Sequence, residues 1–447
     1  MDYKSFLSNA VSVVPSKRQK KWFDTEFYAF VHFTVNTYTG LEWGNGDEDP
    51  KIFDPYDLDC DEWVKAVKSA GMKGIVLTAK HHDGFCLWQT ETTEHSVKNS
   101  NWKNGKGDVV RECAEACRRG GIGFGIYLSP WDRNSKYYGT DKYNDIYAAQ
   151  LTELLTGYGE LFIVWQDNAC GEGENGKKQV YDFERFNALI RKYQPGAVIF
   201  NDFGPDVRWC GNEAGKARPS EWSVVPSELC YRAENQTSGA LVDGSLDGMY
   251  CTDKDIGVLS NIQYSKGLVF APSEFDMSIR KGWFYHENEE PHSLDRLFET
   301  YISTVGHNAC LNLNIPPMPS GRFDPRDIKR LSELGEKLRK EFGEPTKAEF
   351  KKVYEEECGK CVYEASFSNR DVSYVVLSED LEKGQRIESF KVRRSRCDQF
   401  ALYCGLTVGN KQICPMPKSP RAKGLDKLYI EITSTRGEVF LKDIVLY

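Results

Sequence analysis

Residues 161–175 read LFIVWQDNACGEGEN, and the fold turns on them. Leu161, Phe162, Ile163, Val164 and Trp165 form a short unbroken apolar run, the pattern of a strand covered on both faces. Asp167 stands where the run stops, and glycines follow at 171 and 173. A carboxylate at the exit of a buried strand lies where (β/α) barrels place reacting groups. A turn-capping aspartate has the same local sequence, so the choice depends on what the other apolar runs carry at their ends.

Six further runs behave alike. Residues 26–33 (EFYAFVHF) end at His32 and open into a loop holding Glu42 and Trp43. Residues 73–79 lead into His81, His82 and Asp83, and residues 122–128 into Ser129, Pro130, Trp131 and Asp132. Residues 197–201 precede a loop with Trp209 and Glu213; residues 268–272 precede Ser273, Glu274, Phe275 and Asp276; residues 309–315 close the series. Helical stripes separate the runs, as at Trp63, Val64, Val67 and Ala70 behind an N-cap at Asp61. Further helices are predicted over 108–119, 147–158, 179–193 and 293–305. Strand–helix alternation with polar and aromatic residues at the exits predicts an α/β fold, a TIM-like (β/α) barrel. About seven strands are visible, so one or more is irregular or missed.

After a helix over 324–342 the pattern changes. From Ala348 onward short alternating runs dominate, as in KLYIEITS, where Leu428, Ile430 and Ile432 share a face. This predicts a C-terminal β-sandwich of about 100 residues, an ordinary domain size. The expected organisation is a barrel domain over 1–345 and a β-sandwich domain over 346–447. Residues 1–25, polar and basic, are expected to pack outside the barrel.

Composition narrows the function classes. The chain has 447 residues, 40% hydrophobic and 28% charged, with a net charge of −8. The charges are interspersed, which argues against a nucleic-acid partner. No apolar run approaches the ~20 residues that cross a bilayer. The N-terminus lacks a signal-peptide core, so a cytoplasmic location is expected. Fourteen scattered cysteines suit a reducing compartment. Cys358 and Cys361 make a lone CxxC, weak as a zinc signal. The 10 Trp, 23 Tyr and 24 Phe offer many rings able to stack on sugar C–H faces.

Together the strand exits hold His32, Glu42, Trp43, His81, His82, Trp131, Asp167, Glu213 and Glu274, with Trp283 just beyond. A metal-dependent hydrolase would use His81, His82 and Asp83 with His32, but no His-x-His or tidy carboxylate set accompanies them. A sugar-binding module would use the aromatics and leave the carboxylates idle. A glycoside hydrolase needs two carboxylates flanking one bond and polar groups for sugar hydroxyls, which employs the whole set.

The blocks FVHFTVNTYTGLEWGNG, LTAKHHDGFCLW, FGIYLSPWD, VWQDNACGEGENGKKQVYD, RWCGNEAG, SEFDMSIRKGWFYH and GHNACLNLNIPP resemble those of the α-L-fucosidases of glycoside hydrolase family 29, in the same order. EKGQRIESFKV and LTVGNKQI resemble the sandwich that follows the barrel there. The resemblance implies a retaining double displacement on a fucosylated oligosaccharide or glycoconjugate glycan, without metal or organic cofactor. It places the nucleophile at Asp167 and the acid/base at Glu213, the latter as in the subfamily that cleaves α-1,3- and α-1,4-linked branched fucose. It assigns His32, His81, His82 and Trp131 to the fucose ring, with Glu42, Trp43, Glu274 and Trp283 as further contacts. The usual Trp-Phe-Asp-Gly block is Trp165-Gln166-Asp167-Asn168 here, and the two departures raise the alternative of a catalytically impaired fucose-binding relative. Glu274 has a second reading as an ion-pair partner of Arg280, Asp83 is expected to order its turn, and Trp88 fits either a methyl pocket or plain core.

Overall fold

The computed structural model describes residues 3–447 except 203, 219, 228–254, 264 and 357–358; Cys358 thus lies outside the described residues. Eight parallel strands form the barrel: β1 (Phe27–Val31), β2 (Gly74–Lys80), β3 (Gly123–Leu128), β4 (Ile163–Gln166), β5 (Val198–Phe200), β6 (Arg208–Trp209), β9 (Ser273–Ser278) and β10 (Cys310–Asn314). Two short strands, β7 (Val224–Pro226) and β8 (Leu268–Phe270), pair antiparallel in a separate ribbon. The barrel order is β5-β4-β3-β2-β1-β10-β9-β6, and a parallel bridge from Phe200 to Val207 brings the two edges together.

The run at 268–272 is therefore not the barrel strand expected there. It forms part of the ribbon, and the barrel strand is the following SEFDMS, in which Glu274, Asp276 and Ser278 alternate with Phe275 and Met277. A second barrel strand missed by the sequence reading is β6, only two residues long and opened by Arg208, which is buried against Glu221 at 3.1 Å.

Alternation fixes which side chains enter the barrel. Tyr28, Phe30, Val76, Tyr127, Ile163, Trp165, Val198 and Phe200 form one apolar cluster, while Phe27, Ala29, Val31, Ile75 and Leu77 belong to the cluster under the helices. The helices follow their caps. Residues Cys60–Ser69 are capped by Asp59, not Asp61, because Asp59 Oδ1 accepts from Glu62 N at 3.0 Å. The helix expected over 147–158 starts earlier (Asp141–Gly157), and that over 179–193 starts later (Phe183–Tyr193), after Asp182.

The N-terminal segment does more than pack outside. Ser16 and Gln19 form a capping box for the helix Lys17–Phe23. That helix buries Trp22 and Phe23, and Trp22 Nε1 donates to Tyr28 Oη at 3.0 Å, closing the end of the barrel where its strands begin.

Beyond the helix Pro325–Phe342, two antiparallel sheets of four and five strands enclose a second core with Phe390, Leu428, Ile430 and Ile444. They meet the barrel through polar contacts: Ser223 N donates to Gln385 Oε1 at 2.9 Å, and Asn410 N to Asn308 Oδ1 at 2.7 Å.

Candidate active site

The side chains at the strand exits stand on an aromatic floor. Trp165 stacks on Phe200, with centroids 3.9 Å apart, and tilts against Tyr127 at 5.2 Å and Phe30 at 5.3 Å. Asp167 is the next inward position after Trp165. Tyr127 Oη donates to its Oδ2 at 2.6 Å, and Ala169 N to its Oδ1 at 2.7 Å, so both oxygens are oriented. His82 Nε2 lies 3.9 Å from Oδ2.

Three imidazoles cluster beside Asp167, His82 nearest to it. Asn314 Nδ2 donates to Ser278 Oγ and to Trp283 O, so its amide oxygen accepts from His32 Nδ1 at 2.8 Å. Ser129 Oγ donates to Trp131 O, which makes His82 Nδ1 the donor to Ser129 Oγ at 2.7 Å. In both rings the remaining Nε2 is then an acceptor. His81 packs between them, 5.4 Å from His32 and 4.1 Å from His82. Burial pushes His32 down to about 3, with His82 adding to the effect, and holds His81 well below the ordinary histidine value. Burial also takes His82 down to about 4, against a partial opposing pull from Asp167. All three rings are neutral at pH 7.

Glu213 sits on the loop after β6. Its side chain opens to solvent, while Trp283 Nε1 donates to its Oε2 at 3.2 Å. The surrounding protein raises its carboxyl above the usual range, and the negative charges of Asp167 and Glu42 add to that, against the Trp283 bond. Glu42 accepts from Trp283 N at 2.9 Å and faces His286 Nε2 at 2.8 Å, which fixes the Trp283 backbone. The Trp283 ring lies 5.0 Å from His32. Trp131 packs 4.9 Å from His82 and 5.7 Å from Trp43, which is 60% exposed at the rim. Gly171 lies flat on the Trp131 ring; a Cβ there would collide with it.

One expected contact is placed elsewhere. Glu274 lies within β9, fully buried, and not at a strand exit. Its carboxylate accepts from Trp165 Nε1 at 2.8 Å, Asn312 Nδ2 at 3.1 Å and Tyr28 Oη, beneath the aromatic floor. It does not pair with Arg280, which binds Asp327 at 2.8 Å and Asp324 at 3.0 Å. Asp83 accepts from Thr34 Oγ1 at 2.7 Å and Phe85 N at 2.6 Å and so orders its turn. Trp88 lies in the core under the helices, its Nε1 bound to Glu153. Of the two departures beside Asp167, Gln166 turns outward to Asn187 Oδ1 at 2.8 Å, and Asn168 is 2% exposed.

The sequence reading missed Tyr127 and Asn314 and found no role for His286, which faces Glu42. Only Asn314 gave a signal of its own, the alternating Asn312 and Asn314 in CLNLN. Among the described residues no group of three or more His, Cys, Asp or Glu side chains is placed to hold a metal ion.

A family model, Alpha-L-fucosidase, matches residues 6–343. Alpha-L-fucosidase 1 of Arabidopsis thaliana is 40% identical over 434 residues, 90% of this chain and 81% of the relative. The crystal structure of a candidate α-L-fucosidase from Bacteroides ovatus superposes with a TM-score of 0.90 at 40% identity, covering 100% of this chain and 76% of that one. A family 29 fucosidase from Ruminococcus gnavus, solved with fucose, gives a TM-score of 0.82 at 28% identity over 98% and 95% of the two chains.

The neutral histidines carry a signed pH dependence. His82 titrates at about 4 in the folded chain and at about 6.5 in the unfolded one. Between those values only the unfolded chain binds the proton. The contribution of the neutral ring is therefore complete above pH 6.5 and is lost as pH falls, at about 1.4 kcal/mol per pH unit. His82→Gln lacks this loss, so the stability difference between wild type and variant should narrow by about 2 kcal/mol from pH 7 to pH 5. Urea unfolding at the two pH values measures it; a gap that stays constant would mean that His82 is not held neutral.

Proposed function

The chain belongs to the α-L-fucosidase family, glycoside hydrolase family 29, and from that premise we propose that it releases α-1,3- and α-1,4-linked fucose from branched glycans by a retaining double displacement. The observation that carries this reading is the pairing of an oriented Asp167 at the exit of β4 with Glu213, whose proton is held more tightly partly by the charge of Asp167.

In the first step Asp167 attacks the anomeric carbon, Glu213 gives its proton to the glycosidic oxygen, and the aglycone leaves as the alcohol. In the second, Glu213 takes a proton from water, the hydroxide displaces Asp167, and fucose departs with its original anomeric configuration. Glu213 is then protonated again. A double displacement places the two carboxyls about 5–5.5 Å apart. His32 and His82 present Nε2 acceptors to sugar hydroxyls, with His81 beside them, and Trp131, Trp43 and Trp283 offer faces for the apolar side of the ring. Glu42 acts by holding the Trp283 backbone. Against the alternative of a catalytically impaired fucose-binding relative, Gln166 turns away from the site to Asn187.

The linkage preference rests on the wall facing the aglycone. The segment from Cys170 to Lys177 reaches Trp131 through Gly171, and the loop after Trp209 carries Glu213. A second branch of the leaving group held there would anchor it for protonation, converting remote binding into rate.

Asp167→Ala should turn over below about 1% of the wild-type rate while still binding fucose, and azide should partly restore turnover as β-fucosyl azide. Substantial activity without azide removes Asp167 from the nucleophile role. Glu213→Ala should slow fucosylation by about 10²–10⁴-fold with a natural disaccharide and far less with an activated aryl fucoside. An equal loss on both would exclude it as the acid.

The substrate series tests the linkage. Two or three hydrogen bonds to the branch, each about 0.5–1.5 kcal/mol, should favour a branched α-1,3/1,4 trisaccharide over the linear disaccharide by about 10- to 1000-fold in kcat/KM. An α-1,2-fucosyl galactose should be poor. Equal rates on all three would leave a general α-fucosidase.

A further inference from the structure

The loop that carries Glu213 leaves a strand of only two residues, so few ladder bonds hold it. Arg208 N donates to Pro272 O and Cys210 N to Glu274 O, both at 3.0 Å. A side-chain clasp adds to them. Glu221, buried in the chain beyond the loop, accepts from Arg208 Nη2 at 3.1 Å on one oxygen and from Arg218 Nη1 at 2.8 Å on the other. Arg208 stands just before the loop and Arg218 at its far end, so one carboxylate holds both. Arg218 Nη2 also reaches back to Cys210 O at 2.6 Å. Between these anchors the loop is bonded to itself: Asn212 Oδ1 accepts from Ala214 N and Lys216 N, both at 3.1 Å, around Glu213.

The clasp is fixed from three sides. Ser273 Oγ, at the start of β9, donates to Glu221 Oε2 at 3.0 Å. Asp255 accepts from Ser220 Oγ at 3.1 Å and from Trp222 N at 3.0 Å, which sets the chain on either side of Glu221. The third support comes from the β-sandwich. Glu221 O accepts from Gln385 Nε2 at 3.2 Å as well as from Asn308 Nδ2 at 2.9 Å. Gln385 is buried, and its Nε2 also donates to Thr407 Oγ1 at 2.8 Å while its oxygen takes Ser223 N. Burial opposes ionisation of Glu221, yet Arg218 and Arg208 hold its carboxyl below the usual range.

We infer that Glu221 is a positioning residue for Glu213: its carboxylate clasps both ends of the loop that carries the proton donor, and Gln385 ties that clasp to the β-sandwich. The inference rests on Glu213 being the acid/base. A general acid works only within hydrogen-bond reach of the oxygen it protonates, so a loop free to shift loses proton transfer first. Asp167, His32, His82 and Trp131 stand at other strand exits, and the clasp does not hold them. The second domain thus acts on the reaction through this one loop.

The test compares kcat/KM, which reports the fucosylation step, on a natural fucosyl disaccharide and on an activated aryl α-L-fucoside. Wild type, Glu221→Gln and Gln385→Ala are measured, with Lys411→Met as the control. Lys411 pairs with Glu26, so that variant breaks a contact between sandwich and barrel that does not lead to the loop. Glu221→Gln should lose about 10- to 100-fold on the disaccharide and stay within about threefold on the aryl fucoside, whose leaving group needs no proton. Gln385→Ala should show the same selectivity at about 3- to 10-fold. Lys411→Met should leave the ratio of the two rates unchanged.

A role in stability alone lowers both substrates together, so equal losses in Glu221→Gln, or none, overturn the positioning role. Should Glu221→Gln fail to fold, Gln385→Ala decides, since it leaves the ion pairs in place: a wild-type ratio there overturns the inference. Selectivity in Lys411→Met as well would remove the loop as its cause and likewise overturn it. If Glu213→Ala itself loses equally on both substrates, the functional reading falls and this inference with it. A selective Glu213→Ala beside an unselective Glu221→Gln overturns the inference alone.

Discussion

The packing of Trp165 is the constraint on which the site depends. Its ring is covered by Phe200 and crossed by Phe30 and Tyr127, and its indole N–H is taken by Glu274. Glu274 is in turn bound by Asn312 and by Tyr28, whose hydroxyl accepts from Trp22 in the N-terminal helix. A chain of hydrogen bonds therefore runs from the closed end of the barrel up to the residue two positions before Asp167. Burial raises Glu274 to about 7, so the group is costly to ionise where it stands, and its three donors offset part of that cost. The return is rigidity: Tyr127, packed on Trp165, is the residue whose hydroxyl orients Asp167.

Glu213 is supported differently. One hydrogen bond from Trp283 holds it, on a loop that leaves a strand of two residues, with solvent on one side. The contrast suits the proposed double displacement. A nucleophile gains from a fixed near-attack position, whereas an acid/base must exchange its proton with a leaving alcohol and then with water. The environments separate the two carboxyls in the required sense, because Asp167 is itself one of the charges that keep the proton on Glu213.

What the sequence disclosed follows from which interactions are local. Strands covered on both faces read as apolar runs, and the side chain just past each run could be named: His32, His81 and Asp167 all stand where those runs end. SEFDMS hid a barrel strand because its inward positions are Glu274, Asp276 and Ser278, so the polar half of an alternating pattern looks like a loop. The apolar run before it was the better strand signal and belongs to the ribbon with Val224–Pro226. The basic KRQKK stretch likewise masked the burial of Trp22 and Phe23. Tyr127 and Asn314 act across strands that are distant in sequence, and no local pattern records that Tyr127 reaches Asp167 or that Asn314 meets His32.

The neutral histidines complete the electrostatic logic. A barrel mouth with His32, His81 and His82 within about one ring of each other would repel itself if they were charged, and burial already penalises each imidazolium. Neutrality matters beyond stability. Glycoside cleavage passes through an oxocarbenium-like transition state in which positive charge grows on the sugar ring. Imidazolium groups at the positions of His32 and His82 would oppose that charge, while neutral rings still offer Nε2 lone pairs to the hydroxyls. In the proposed reaction, the same burial that sets these rings at about 3 and about 4 would let them meet the sugar uncharged and leave the oriented Asp167 to face the developing cation.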